Sequence, residues 1–292
     1  MNSSPKESKT TTHLWPDLAL LGATVIWGGT FVVEKIALRD ISPVLLVVVR
    51  FWLATLLVAA LWLPRLRKMT KETLRDGLIL GLTLFLGFLF QTIGLAYTTA
   101  SRSGFITSLT VVFVPFVVIG LTRKLPSLWA WTGVALAAIG LWFFTQPALE
   151  GIHTGDFLTL LCAVSFAFQI ALIEIYTRRH DLVQMLFLEL LVTSILALPA
   201  LPLLEKPVLH MTRSLIWAVL FCATLATVGA LYIQNAAQSK TSATRAAVIY
   251  TAEPVFAALF AFFTLGERFN LSGFIGAGLI LAAVLASEFR RT

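Results

Sequence analysis

From Pro43 the chain reads PVLLVVVRFWLATLLVAALWLP, with one charge in the whole stretch. A helix needs about 20 apolar residues to cross the hydrocarbon of a bilayer. Ten such segments follow one another, at about 18–38, 43–63, 75–97, 102–121, 127–146, 156–177, 182–203, 213–236, 243–265 and 270–289. In lipid every backbone polar group must find its partner inside the protein, and a helix achieves this within one segment. The spacing therefore predicts an all-α polytopic membrane protein of ten transmembrane helices. They fill most of the 292 residues and leave no room for a soluble domain. Composition agrees: 58% of the chain is hydrophobic and 13% charged, where a soluble domain carries roughly 25% charged residues.

The first segment is longer than the apolar core of a cleavable signal, and no small-residue cleavage site follows it, so it is expected to be a retained helix. Cys162 and Cys222 fall inside predicted spans and suggest neither a disulfide framework nor a zinc site. The four histidines lie at segment ends or in loops without metal-ligand spacing, so no metal or other cofactor is expected.

The net charge of +7 invites a search for an acidic partner, but its placement points elsewhere. Arg50 apart, the 22 basic residues divide fifteen to six if the N-terminus is cytoplasmic, with the dense RLRKMTKETLR stretch on the richer side. Positive-inside bias accounts for this. It places both termini in the cytoplasm of a cell with an inner (plasma) membrane, and the lipid bilayer, not nucleic acid, is the partner of the charge.

Ten helices invite a search for two halves. Slid by 139 residues, DLALLGATVIWGG from Asp17 lies over DFLTLLCAVSFAF from Asp156. Trp27 then falls on Phe166, Ser103 on Ser242 and Pro115 on Pro254. Two halves, 1–147 and 148–292, each carry five spans, and an odd number inserts the second copy upside down. That is the inverted repeat of many secondary transporters, whose substrate site lies between the halves near the midplane. Under the same shift Lys35 overlies Glu174 and Arg50 overlies Glu189, opposite charges in both cases.

LLGATVIWGGTFVVEKIAL and VVVRFWLATLLV resemble the first two helices of the EamA branch of the drug/metabolite transporter superfamily. The stretch from TSATRAAVIYTAEPVF to LGERFNLSGFIGAGLILAAVLAS is similar to that family's last two helices. The resemblance covers nearly the whole chain in two copies. It implies a ten-helix exporter or importer of small metabolites. Helices one to four and six to nine would line the cavity, with five and ten at the periphery. The first half departs from the pattern after Pro115, where LTRKLPSL replaces the acidic turn that LGER supplies in the second.

The opening segment is loosened at its centre. Trp27, Thr30 and Glu34 share one helical face, flanked by Gly28 and Gly29. Such glycines either admit a neighbouring helix or soften the wall of a cavity. Both readings stand, and the cavity reading puts Trp27, Gly28 and Thr30 in the substrate site. Arg50, some seven residues into the second helix, would cost about 2.5–3.5 kcal/mol at the helix centre. It either forms a static pair with Glu34 or Glu189, or offers its fork of donors to a substrate carboxylate. Glu253 lies near the middle of helix nine, directly before Pro254. A proline removes a backbone donor and disfavours helical geometry in the residue before it. The pair is expected at a hinge, with Glu253 either bonding across the kink or, with Glu34, coupling transport to protons. Gln91, Gln169, Tyr232, Gln234, Asn235 and Tyr250 complete an intramembrane polar set that fits a cavity. The glycines of LSGFIGAGL and TGVALAAIG read as packing surfaces of helices ten and five.

An intramembrane hydrolase would need a nucleophile with its base, or a metal pair. The spans contain no histidine, and HExxH and Gly-x-Ser-x-Gly are absent. A carrier or flippase of lipid-linked or sugar-nucleotide substrates is the rival, but its headgroup calls for more cations than Arg50. A small zwitterion needs one cation, one acid and aromatic surface. An amino acid or related zwitterion, exported by alternating access, is thus the expected small-molecule substrate. Protons and a second copy of the chain are left open as partners.

Overall fold

The structure, a computed structural model, describes residues 11–145, 153–265 and 271–286. The boundary expected at 147 and 148, the acidic LGER turn beyond Leu265 and both ends of the last expected span lie outside them. Among the described residues the chain forms ten helical rods. They are α1 (Thr11–Ala37), α2 (Pro43–Leu66), α3 (Lys71–Tyr97), α4 (Ala100–Ser108 and Thr110–Thr122), α5 (Leu128–Thr145), α6 (Thr154–Tyr176), α7 (Leu182–Leu204), α8 (Arg213–Phe221 continued to Gln238), α9 (Ala243–Tyr250 and Glu253–Leu265) and α10 (Leu271–Ala286). Seven are long and apolar enough to cross a membrane, and α5 and α10 are shorter apolar helices. The remaining rod, α9, is broken at Thr251–Ala252, in front of Pro254.

Local chemistry sets the boundaries. Thr70, Asp181 and Thr212 each accept a hydrogen bond from a backbone N–H in the first turn of the helix they precede. Pro43 opens α2, where its missing N–H is no loss. Arg123 closes α4 in the left-handed conformation, φ 56°.

The two halves interlock. In the first half α3 packs on α6 and α7 of the second; in the second, α8 packs on α1 and α2 of the first. The corresponding helices α2 and α7 pack on each other, as do α5 and α10. Close approach depends on glycine. A Cβ on Gly77 or Gly81 of α3 would run into Leu188 or Val192 of α7, and one on Gly140 of α5 would come within 2.9 Å of the Gly276 carbonyl of α10. Small residues let membrane helices meet closely enough for dispersion to hold them. The outer faces carry exposed apolar side chains such as Trp142, Leu198, Trp217 and Leu285, as a lipid-facing surface requires.

Loops gather at two opposite ends. At one, the α1–α2 and α7–α8 connections meet. Glu205 accepts hydrogen bonds from Ser42 Oγ and from the N–H groups of Val44 and Leu45, and Thr212 donates to Asp40. At the other, the α2–α3 and α6–α7 connections meet through Thr73, Asp76 and His180. This second end holds Arg65, Arg67, Lys68, Lys71, Arg178 and Arg179 and is called the basic end below.

Candidate functional site

Near its middle the bundle holds a partly open cavity lined by seventeen residues, a concave, mainly apolar site of the kind that small molecules occupy. Helices α1, α2, α3, α4, α6, α8 and α9 supply its walls, and of the seventeen lining residues only Arg50 and Glu253 carry a formal charge.

Three local irregularities shape it. First, α4 breaks at Leu109, and Thr107, Ser108 and Thr110 around that break line the cavity. Second, α9 breaks in front of Glu253 and Pro254. Proline has no N–H to give the carbonyl one turn earlier, so the rod divides there, with Tyr250 on one side of the break and Glu253 on the other, both facing the cavity. Third, Cys222–Gly229 of α8 is wound as a π-helix. Its wider turn leaves carbonyls to outside partners, and Trp27 Nε1 donates to the Ala226 carbonyl at 3.0 Å. Such bulges recur at functional sites.

Arg50 forms the polar wall. It is 2% exposed; its Nε donates to Thr227 Oγ1 at 2.6 Å and its Nη1 forms an ion pair with Glu34. The guanidinium carbon lies 4.6 Å from the centre of the Phe88 ring, a cation–π contact that helps hold a desolvated charge. Nη2 makes no hydrogen bond among the described residues. The Glu34 pairing is one of the two static pairs open from sequence. It also accounts for the burial of Glu34, which is 3% exposed and stands behind Arg50 without lining the cavity itself. Lys35 is tied to the carbonyls of Leu95 and Thr98.

Opposite, Trp27 meets Tyr250 edge to face, with ring centres 5.4 Å apart, and Phe88 meets Phe166 in the same way. Gln169 and Gln234 exchange amide hydrogen bonds at 3.4 and 3.3 Å, and Tyr250 donates to Gln238. Gln91 Nε2 lies 3.5 Å from Thr107 Oγ1. These pairs stay loose enough to be exchanged for a ligand.

Of the residues singled out in the sequence, Trp27, Thr30, Arg50, Gln91, Gln169, Tyr250 and Glu253 converge on this cavity. Gly28 instead packs against α9: a Cβ there would come within 3.0 Å of the Glu253 carbonyl and 2.9 Å of Phe256 Cβ. Tyr232 is 38% exposed and stacks on Trp62 at the periphery. Asn235 is wholly buried against Glu189 of α7. Pro254 follows the α9 break without lining the cavity. Sequence reasoning missed the hydroxyls of α4 and the apolar walls Leu84, Phe88, Phe166, Ile170 and Leu231. The clustered ITSLT at the α4 break was the only available signal for the hydroxyls; nothing distinguishes the apolar walls from core.

Each end of the bundle is drawn together by a two-stranded ion pair. Arg102, in the first turn of α4, donates through Nε to Asp156 of α6 at 2.8 Å, and its terminal nitrogen lies 2.7 Å from the other oxygen. Arg245, in the first turn of α9, donates through Nε to Asp17 of α1 at 2.9 Å, with a second contact to the other oxygen. Asp17 and Asp156 correspond under the 139-residue shift. Both arginines sit three residues after a capping hydroxyl, Thr99 and Ser242, whose side chains accept from the arginine N–H. The Asp17–Arg245 pair lies at the basic end and the Asp156–Arg102 pair at the opposite one. The fold has thus placed one pair at each end of the cavity.

The sequence profile of the EamA-like transporter family matches residues 14–146 and again residues 153–288. A protein of Archaeoglobus fulgidus named only as an uncharacterized transporter is 36% identical over 278 residues, covering 95% of this chain and 87% of that one. A Salmonella typhimurium protein named "Probable amino-acid metabolite efflux pump" is 31% identical over 300 residues, covering 93% and 94%. A solved structure, titled only as the crystal structure of a protein, superposes with a TM-score of 0.78 over 94% of this chain and 98% of its own at 16% identity, a likeness of fold.

Proposed function

Because the chain belongs to the EamA-like transporter family, and is therefore a membrane transporter rather than an enzyme, we propose that it carries a small zwitterion, an amino acid or close relative, by alternating access as a secondary exporter. The observation that carries this reading is the charge inventory of the cavity: one guanidinium and one carboxyl, on walls otherwise built of aromatics, amides and hydroxyls. A substrate carboxylate would meet Arg50, and its ammonium would meet Glu253. The side chain would lie among Trp27, Phe88, Phe166 and Tyr250, whose rings offer large apolar surface at little entropic cost. The relative named as an amino-acid metabolite efflux pump supports the same class. A diphosphate-bearing sugar carrier is less well served, since the one cavity cation already has Glu34 beside it.

Alternating access asks for two closures of which one opens at a time. The Asp17–Arg245 and Asp156–Arg102 pairs have the right places: each joins the first helix of one half to the fourth helix of the other. The broken helices α4 and α9, which carry the arginines, are the elements best able to bend. Positive-inside placement would set the basic end in the cytoplasm. Glu253, half-buried on the cavity wall beside the α9 break, is the proposed coupling acid, since opening and closing its end of the cavity would change its access to water.

Uptake into proteoliposomes tests the substrate class. Neutral α-amino acids should enter, while their methyl esters, which lack the carboxylate, and their N-acetyl derivatives, which lack the ammonium, should enter at least tenfold more slowly. Equal uptake of all three, or uptake of a sugar nucleotide alone, would overturn the zwitterion reading.

A further inference from the structure

Behind the cavity wall, α7 carries a second buried carboxyl. Glu189 has no solvent exposure, and Asn235 of α8, also without exposure, donates through Nδ2 to Glu189 Oε1 at 2.6 Å. The same Nδ2 donates to the Leu231 carbonyl at 2.9 Å. Both neighbours of that nitrogen are acceptors, so the amide orientation follows from the network. Two atoms remain: Glu189 Oε2 and Asn235 Oδ1 are both buried acceptors with no hydrogen bond among the described residues.

They are complementary. A carboxylic acid and a primary amide join through a ring of two hydrogen bonds, amide N–H to carboxyl oxygen and carboxyl O–H to amide oxygen. The first bond is present. A proton on Oε2 would turn that orphaned acceptor into the donor that Asn235 Oδ1 lacks; Gln169, the other amide beside Glu189, spends its hydrogen bonds on Gln234. Burying an acceptor without a partner forfeits its hydration with nothing in return, so the unprotonated arrangement would be poorly held.

The charges on the surrounding helices do not supply an alternative. On α2, Arg50 is engaged by Glu34 and Thr227. On α3, Asp76 is bound to Arg75 and His180. On α6, Asp156 is held by Arg102 and Glu174 by Arg178. On α8 no charged residue follows Arg213. A hard metal cation would need about six oxygens. Thr193 Oγ1, the nearest hydroxyl on α7, already donates to the Glu189 carbonyl at 2.7 Å.

We propose that Glu189 and Asn235 form a proton-binding site, in which a proton taken from water becomes the O–H of Glu189 and bridges α7 to α8. The location gives the site consequences. Under the 139-residue shift Glu189 occupies the place of Arg50, so the two halves carry a cation with its acid at one position and an acid with its amide at the other. Asn235 sits next to Gln234, which lines the cavity. Parting α7 from α8 would open the ring and let the proton leave to whichever side admits water.

Infrared difference spectroscopy of the full-length protein in lipid, stepped in pH with the proton as the only added ligand, tests this. Near neutral pH the wild type should show the C=O stretch of a hydrogen-bonded carboxylic acid. Glu189→Gln should remove it and Glu253→Gln should leave it, whatever the substrate proves to be. The band should be unchanged when sodium is replaced by choline. Any band of Glu253 is told apart because Glu253→Gln removes it. An acid band that Glu189→Gln leaves wholly unchanged would overturn the proposal. So would its absence from the wild type together with sodium-dependent thermal stabilisation that Glu189→Gln abolishes, since the site would then hold a metal cation. Should Glu189→Gln not fold, Asn235→Leu provides the second reading: the acid loses its amide partner and its C=O stretch moves to higher frequency, whereas an unmoved band contradicts the ring.

Discussion

Arg50 concentrates the physical problem of this molecule in one side chain. A guanidinium in the membrane is tolerable because Glu34, Thr227 and the Phe88 ring surround it. Removing one partner of a buried pair leaves the other uncompensated, at a cost of about 3–5 kcal/mol, so Arg50→Ala confounds stability with binding. Arg50→Lys separates them. The charge stays for Glu34, but the planar fork becomes a point donor that cannot hold Thr227, Glu34 and a carboxylate together. Initial uptake rates over a substrate series should show an apparent affinity at least tenfold weaker in Arg50→Lys, with the melting temperature little changed. An unchanged affinity with a lowered melting temperature would make Arg50 a structural residue only. From sequence, the intramembrane position of Arg50 and both candidate acids were legible. The choice of Glu34 over Glu189 was not, because it depends on how α1 and α2 are rotated about their axes.

At the scale of elements, the apolar runs reveal where helices lie and little about how they are broken. The α9 break was readable from Glu253–Pro254, since a proline states its own effect on the backbone. The α4 break at Leu109 was not, because Pro115 six residues later is the louder signal and sits inside a continuous helix. The π-helical stretch of α8 has no proline and no composition of its own; the requirement comes from Trp27 and Arg50 on neighbouring helices. Glycines were legible as packing residues on α5 and α10, whereas the four on α3 that meet α6 and α7 were passed over among longer apolar side chains. One contrast isolates their role. A Cβ on Gly276 would collide with the backbone of Phe144 in α5, while one on Gly278 meets nothing within 4 Å. Gly276→Ala should lower stability by about 1–3 kcal/mol, the usual range for overpacking, and Gly278→Ala should leave it unchanged. Thermal melts of the two variants in the same detergent decide it; equal melting temperatures would mean that α5 and α10 do not pack as described.

For the whole molecule, ten helices in a double family match follow from hydropathy and punctuation, which survive when residue identity between the halves is low. The ion pairs at the two ends were hidden. Asp17 and Asp156 aligned under the repeat, but their arginines align only with a shift of 143 rather than 139, so a single offset separates them. If the two pairs are alternating closures, they act in opposite senses. Arg245→Gln should bias the protein toward opening at the basic end, and Arg102→Gln toward opening at the other. Reversing both charges of one pair, as in Asp17→Arg with Arg245→Asp, should restore transport that each single reversal abolishes, with a coupling energy of about 0.5–3 kcal/mol. Additive losses in that cycle would exclude a direct role for the pair.

The central claim is that the cavity bounded by Trp27, Arg50 and Glu253 is the path of the substrate. A cysteine at Thr30, on the wall beside Arg50, tests it most directly in a background where Cys162 and Cys222, both buried, are replaced by alanine. Modification of Thr30→Cys by a small, polar, membrane-impermeant thiol reagent is followed in vesicles of defined orientation. The account predicts labelling that a transported amino acid slows at least tenfold, and that its methyl ester does not slow. Labelling indifferent to substrate, or a site inert from both faces of the membrane, would contradict it.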